Sequence, residues 1–89
     1  MKIVINEKGG TYVMPQGFID ECNANGINAF DLYANDPLFV KFVEEHEYTE
    51  DCDLIIVEIP DNATDWEICT ESDGEEYVIY VVDGKIYFT

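Results

Sequence analysis

The sequence predicts an α+β domain: a mainly antiparallel β-sheet, ending in a C-terminal β-meander, with two short helices on one face. Three observations predict it. Leu54, Ile55, Ile56, Val57 and Ile59 form the most apolar and β-branched run of the chain. Two further runs, residues 64–71 and 75–82, alternate or repeat strand-forming residues and are joined through Asp73-Gly74. Asn35-Asp36-Pro37 opens a segment whose apolar residues recur at helical spacing. Eighty-nine residues suit one domain spanning 1–89. A composition 47% hydrophobic and 13% aromatic supplies a core without disulfides or a metal.

Residues 2–6 read as a first strand, β-branched at three successive positions, which Gly9-Gly10 ends. Thr11, Tyr12 and Val13 suggest a short extended piece. Pro15 suits the first turn of a helix whose inner face carries Phe18, Ile19 and Cys22. Gly26 then suits the left-handed position that closes a helix. Residues 27–34 alternate imperfectly and are expected as an irregular strand or extended connection. In the second helix Asp36 is the N-cap and Pro37 the first helical residue. Leu38, Phe39, Phe42, Val43 and His46 form its apolar stripe, so it should pack on the sheet. Glu44, Glu45 and Glu47 stand near its C-terminus, where negative charge opposes the helix dipole.

The near-continuous apolar character of residues 54–59 predicts a central strand with neighbours paired on both sides. Pro60 ends it. In the next strand Trp66 and Ile68 should face inward, with Trp66 against Phe39 or Phe42 of the helix. Asp65, Glu67, Cys69 and Glu71 should face out. Ser72-Asp73-Gly74 should make a hairpin turn, Asp-Gly favouring type I′ geometry, into a strand with Tyr77, Ile79 and Val81 on one face and Glu76, Val78, Tyr80 and Val82 on the other. Asp83-Gly84 turns into residues 85–88.

Charge is the other strong signal. Twenty acidic residues stand against four lysines and no arginine, for a formal net charge of −16. Fifteen of the acids lie between Phe42 and Gly84, a stretch with no cation. Such a chain repels nucleic acid and anionic membranes, and attracts basic surfaces on other proteins. A duplex treated as a cylinder carries roughly one charge per 110 Å². Those fifteen carboxylates, on half of an expected surface of about 5,300 Å², approach roughly one per 180 Å². That density can compete for a basic groove.

Catalytic and metal motifs are missing from the pattern. His46 is the only histidine and sits on an apolar helical stripe. Cys52 lies among carboxylates, which blunt a thiol as a nucleophile. Gly9-Gly10 lacks the lysine and helix of a phosphate loop. The acidic loop containing Glu47, Glu50, Asp51 and Asp53 lacks EF-hand spacing. Cys22, Cys52 and Cys69 show no zinc or disulfide spacing and are expected as free thiols in a reducing compartment. No cofactor, no metal and no enzymatic activity are expected. No apolar run is long enough for a signal peptide or a membrane span.

Several segments together resemble a set of small acidic bacteriophage and prophage proteins of unknown function. They are Met1-Lys2-Ile3-Val4-Ile5-Asn6, the Asn35-Asp36-Pro37-Leu38 helix start with Val43-Glu44-Glu45, the stretch LIIVEIPDNATDWE beginning at Leu54, and Asp73-Gly74-Glu75. The departures are Gly9-Gly10-Thr11-Tyr12, where those proteins carry Gly-Gly-Phe, and the C-terminal end, where they carry a basic-aromatic tail. The resemblance implies phage origin, an α+β fold and the cytoplasm of an infected bacterial host. It supplies no activity.

The functional expectation is therefore a non-enzymatic interaction or inhibitor protein. Its acidic surface would occupy a nucleic-acid-binding site of a host protein, in the manner of a DNA mimic serving anti-restriction or anti-CRISPR defence. The candidate partner-binding residues are Glu44, Glu45, Glu47, Glu50, Asp51, Asp53, Asp65, Glu67, Glu71, Asp73, Glu75 and Glu76. The alternative is a phage structural or assembly accessory whose charge serves solubility. A small hydrolase would require carboxylates gathered in a pocket beside His46.

Overall fold

The computed structural model describes residues 1–7, 13–46 and 54–89. Strand β1 (Lys2–Asn6) is followed by helix α1 (Gln16–Ala24), a 3₁₀ turn (Ala29–Asp31) and helix α2 (Pro37–His46). Strands β2 (Leu54–Glu58), β3 (Asp65–Thr70), β4 (Glu76–Val82) and β5 (Lys85–Phe88) complete the chain. The fold is α+β, as the sequence predicts, with every strand pair antiparallel. The expected segment at residues 11–13 falls largely outside the described residues, as does the acidic loop before β2.

The strands form two sheets, a β1–β2 ribbon and a β3–β4–β5 meander. The expectation of a central strand at residues 54–59 is corrected: β2 pairs with β1 alone among the described strands. Its apolar run has another cause. The register Ile3↔Val57, Val4↔Ile56, Ile5↔Ile55 puts alternate residues on opposite faces of the ribbon. Val4, Leu54 and Ile56 join one core with Phe18, Phe39, Phe42 and Val43 from the helices. Ile3, Ile5, Ile55 and Val57 join a second core with Ile59, Trp66, Ile68 and Val78. The ribbon is thus the middle layer between helices and meander, and each of its faces packs into an apolar core. Pro60, which cannot donate to a ladder, follows directly.

This layering also corrects the placement of Trp66. It packs in the ribbon–meander core, half-buried beside Tyr80, and not against Phe39 or Phe42. Those two rings instead flank Phe18 of α1, at centroid distances of 4.9 and 5.2 Å.

Local chemistry explains the helix ends. Pro15 sits one residue before α1, as its cap, rather than inside the first turn. At the other end Gly26 has φ +70°. The amides of Gly26 and Ile27 donate to the carbonyls of Asn23 and Cys22, at 3.2 and 2.9 Å, closing a Schellman motif. Asp36 caps α2 as expected, its Oδ1 accepting from the Leu38 amide at 2.9 Å. Residues 27–34 form no strand. Asn28 Oδ1 takes the Phe30 amide at 3.1 Å and folds the chain into the 3₁₀ turn. The connection then passes β1, where Val4 N–H donates to the Ala34 carbonyl at 2.8 Å.

The two Asp-Gly turns differ. Asp83 and Gly84 both have positive φ, 52° and 77°, as a two-residue type I′ loop demands. At the other, only Gly74 has positive φ. The Glu71 amide donates to the Glu75 carbonyl and the Gly74 amide to the Glu71 carbonyl. That is the three-residue Ser72-Asp73-Gly74 hairpin turn that the sequence predicts, but its backbone corrects the type I′ geometry expected of Asp73-Gly74.

At the ribbon's end the Met1 ammonium donates to the Ile59 carbonyl at 2.8 Å and to Asp61 Oδ1 at 2.6 Å. That ammonium holds the Asp61 carboxyl below the usual carboxylate range. A depressed folded value stabilises above the unfolded pKa, and the contribution is lost as pH falls through the folded one. Asp61→Asn should therefore lower the thermal midpoint slightly at pH 7, with the gap to the parent closing in acid, at about pH 3 and below. A gap of the same size at pH 7 and pH 2.5 would show that this ion pair is not its source.

Candidate interaction face

Strand periodicity and register decide which side chains of the meander are offered to a partner. On β3, the inward residues are Trp66 and Ile68, opposite Tyr80 and Val78 of β4. The other parity faces away from the ribbon. There Asp65 stands opposite Val81, which in turn pairs with Ile86; Glu67 stands opposite Ile79, which pairs with Phe88; and Cys69 stands opposite Tyr77. Glu71 and Glu75, bonded to each other through their backbones, continue this outer face at the hairpin end. Asp65, Glu67, Glu71 and Glu75 are all exposed. Alternate residues on a strand lie about 6.6 Å apart, so the β3 acids form a row.

Beside that acidic row runs an apolar strip. Ile86 and Phe88 of β5 are 72% and 75% exposed. Tyr77, Ile79 and Val81 of β4 are half-buried. The Phe88 ring meets Tyr77 edge-on, with centroids 6.4 Å apart and planes at 71°. A depression of 310 Å³ opens at this corner, lined by residues that include Glu71, Glu75, Tyr77, Ile79 and Phe88. The signal for this strip was in the sequence, because β4 is apolar at both parities and only one parity can face the ribbon.

The remaining candidate residues lie elsewhere. Glu44 and Glu45 belong to α2, on the opposite side of the ribbon from the meander. Glu44 Oε1 accepts from Lys2 Nζ at 2.9 Å, tying the helix to β1. Asp73 turns into its own loop, Oδ1 accepting from the Glu75 amide at 2.9 Å. Glu76 points to the inner side, where its Oε1 accepts from the Asn6 amide at 2.7 Å and joins the meander to β1. Glu47, Glu50, Asp51 and Asp53 lie outside the described residues. The described acids therefore do not make one continuous patch. Four of them share the outer face of the meander.

Groups with chemical potential are occupied structurally. His46 stacks on Phe42 at 4.0 Å, and its Nδ1–H donates to the Phe42 carbonyl at 2.8 Å. Cys22 is a free, fully buried thiol. Burial, then the nearby Glu21 and Asp36 carboxylates, push it up from the usual value. Cys69 is free and half-buried on the outer face. Among the described residues no three His, Cys, Asp or Glu side chains are grouped to hold a metal ion. No described helix is long and apolar enough to cross a membrane.

The molecular surface is 5839 Å², so twenty carboxylates average about one per 290 Å². The mean density is far below the roughly one per 110 Å² of a duplex, and any likeness to nucleic acid must be local. Comparison of the chain with protein-family models, with curated proteins and with solved structures returned no match.

Proposed function

We propose that this protein is a non-enzymatic interaction protein that occupies a basic, nucleic-acid-binding groove of another protein. The observation that carries the reading is the exposed row of Asp65, Glu67, Glu71 and Glu75 on one sheet face, with no described cation on that face. Lys85 pairs opposite Val82 at the inward parity, and Lys41 and the Glu44-paired Lys2 lie with α2 and β1. A net charge of −16 would steer such a face toward a basic groove from a distance. The resemblance to phage proteins supports the finer reading, an inhibitor that protects phage nucleic acid from a host protein.

Two triple variants test this. Glu67, Glu71 and Glu75 changed to Lys alter net charge as much as Asp20, Glu21 and Asp31 changed to Lys. The first set should weaken binding to the partner, captured from bacterial lysate at low salt, by at least about 100-fold. The second set should weaken it by less than about tenfold. The on-rate should fall steeply with ionic strength, and a DNA or RNA duplex should displace the protein. Equal losses in the two triples, or binding that survives saturating nucleic acid, would overturn the reading.

A further inference from the structure

The outer face of the meander combines two properties that select its occupant. It leaves Ile86 and Phe88 about three-quarters exposed, and it bears four carboxylates without a described cation. An open apolar sheet face commonly seats a second copy of the same chain. Here each copy would bring −16 of net charge and set its own Asp65, Glu67, Glu71 and Glu75 against another acidic surface. Charge complementarity points instead to a cation with an apolar or flat body. The depression is lined by matching groups: the Tyr77 and Phe88 rings, which meet edge-on, together with Glu71, Glu75 and Glu76. A guanidinium is planar, stacks on rings and can engage carboxylates through two N–H groups at once, whereas an ammonium is a compact, strongly hydrated point charge.

We propose that this face docks an arginine-bearing basic segment of a partner, with one guanidinium seated in the 310 Å³ depression between Tyr77, Phe88, Glu71 and Glu75. This rests on the binding reading above and specifies the chemistry that the partner must offer. The apolar strip of Ile79, Val81 and Ile86 then covers the stem and neighbouring apolar residues of the same segment.

The test needs no natural partner. N-acetyl-arginine amide, and separately N-acetyl-lysine amide, is titrated into the ¹⁵N-labelled full chain at low salt. Saturable shifts are expected at Glu71, Glu75, Tyr77 and Phe88, with the arginine compound binding about two- to fivefold more tightly. Glu71→Gln combined with Glu75→Gln should weaken it by about tenfold. Tyr77→Leu should abolish the preference for arginine over lysine while the dispersed spectrum shows the fold intact. Shifts spread alike over Asp20, Glu21 and Asp31, or equal binding of both compounds, would overturn the proposal. So would sedimentation as a dimer that broadens the resonances of this face, because a second copy would then be its occupant. Absent arginine binding with partner binding still displaced by nucleic acid would sink this inference alone; the converse would sink only the wider reading.

Discussion

Phe18→Ala is expected to lower stability by about 3–5 kcal/mol. Phe18 has no exposed surface and packs against both Phe39 and Phe42, so it is a central contact between α1 and α2. Its removal leaves a cavity walled by two rings that α2 fixes in place, and small cavities in such rigid walls do not collapse. A chain of this length has a total stability of about 4–13 kcal/mol. The loss is therefore a large share of the whole, and the thermal midpoint should fall by at least about 12 °C. Calorimetry of the variant checks this. A midpoint within about 4 °C of the parent would mean that the helices are held to the ribbon by other contacts.

Val78→Asp should cost far more stability than Ile79→Asp, although the two residues are adjacent. Val78 has no exposed surface and sits in the ribbon–meander core. An aspartate there would be buried without a cation, one residue-pair away from the inward Glu76. An uncompensated buried charge costs about 3–5 kcal/mol, on top of the lost apolar contact. Ile79 faces the other way, opposite Glu67 and Phe88, and is half-buried. Its replacement should cost about 1 kcal/mol, from partial loss of apolar cover and repulsion by Glu67. Circular dichroism and chemical denaturation distinguish the two outcomes. Similar losses for both would mean that the outer face of the meander is covered.

Features with a local code were legible in the sequence. Asp36 as a cap, Gly26 as a helix stop and Asp83-Gly84 as a turn each depend on residues within one turn of chain. The Ser72-Asp73-Gly74 turn was legible too, but its backbone geometry was not, because an Asp-Gly pair serves both type I′ and longer loops and strand register decides between them. β2 was misread for a related reason. A strand paired on both edges and a strand covered on both faces write the same apolar string. Trp66 was correctly assigned to the inward face of β3, but nothing near it in sequence says which layer it meets. The candidate site divides in the same way. The acidity of β3 and its outward parity could be read, whereas the separation of Glu44 and Glu45 from Glu67 and Glu71, and the engagement of Glu76 by Asn6, follow from the stacking of layers.

The ribbon joins the two ends of a long excursion, because 47 residues separate Asn6 from its partner Leu54. The meander closes through loops of two and three residues. Drawing together the ends of the longer segment costs about 2.5 kcal/mol more in chain entropy than closing such a hairpin. Non-local pairings of this kind slow the search for the native state. The middle layer, on which both cores are built, is therefore the costliest part of the molecule to nucleate. Helices and meander can take shape from neighbours in sequence, but neither has a dry surface to settle on until the two distant strands meet.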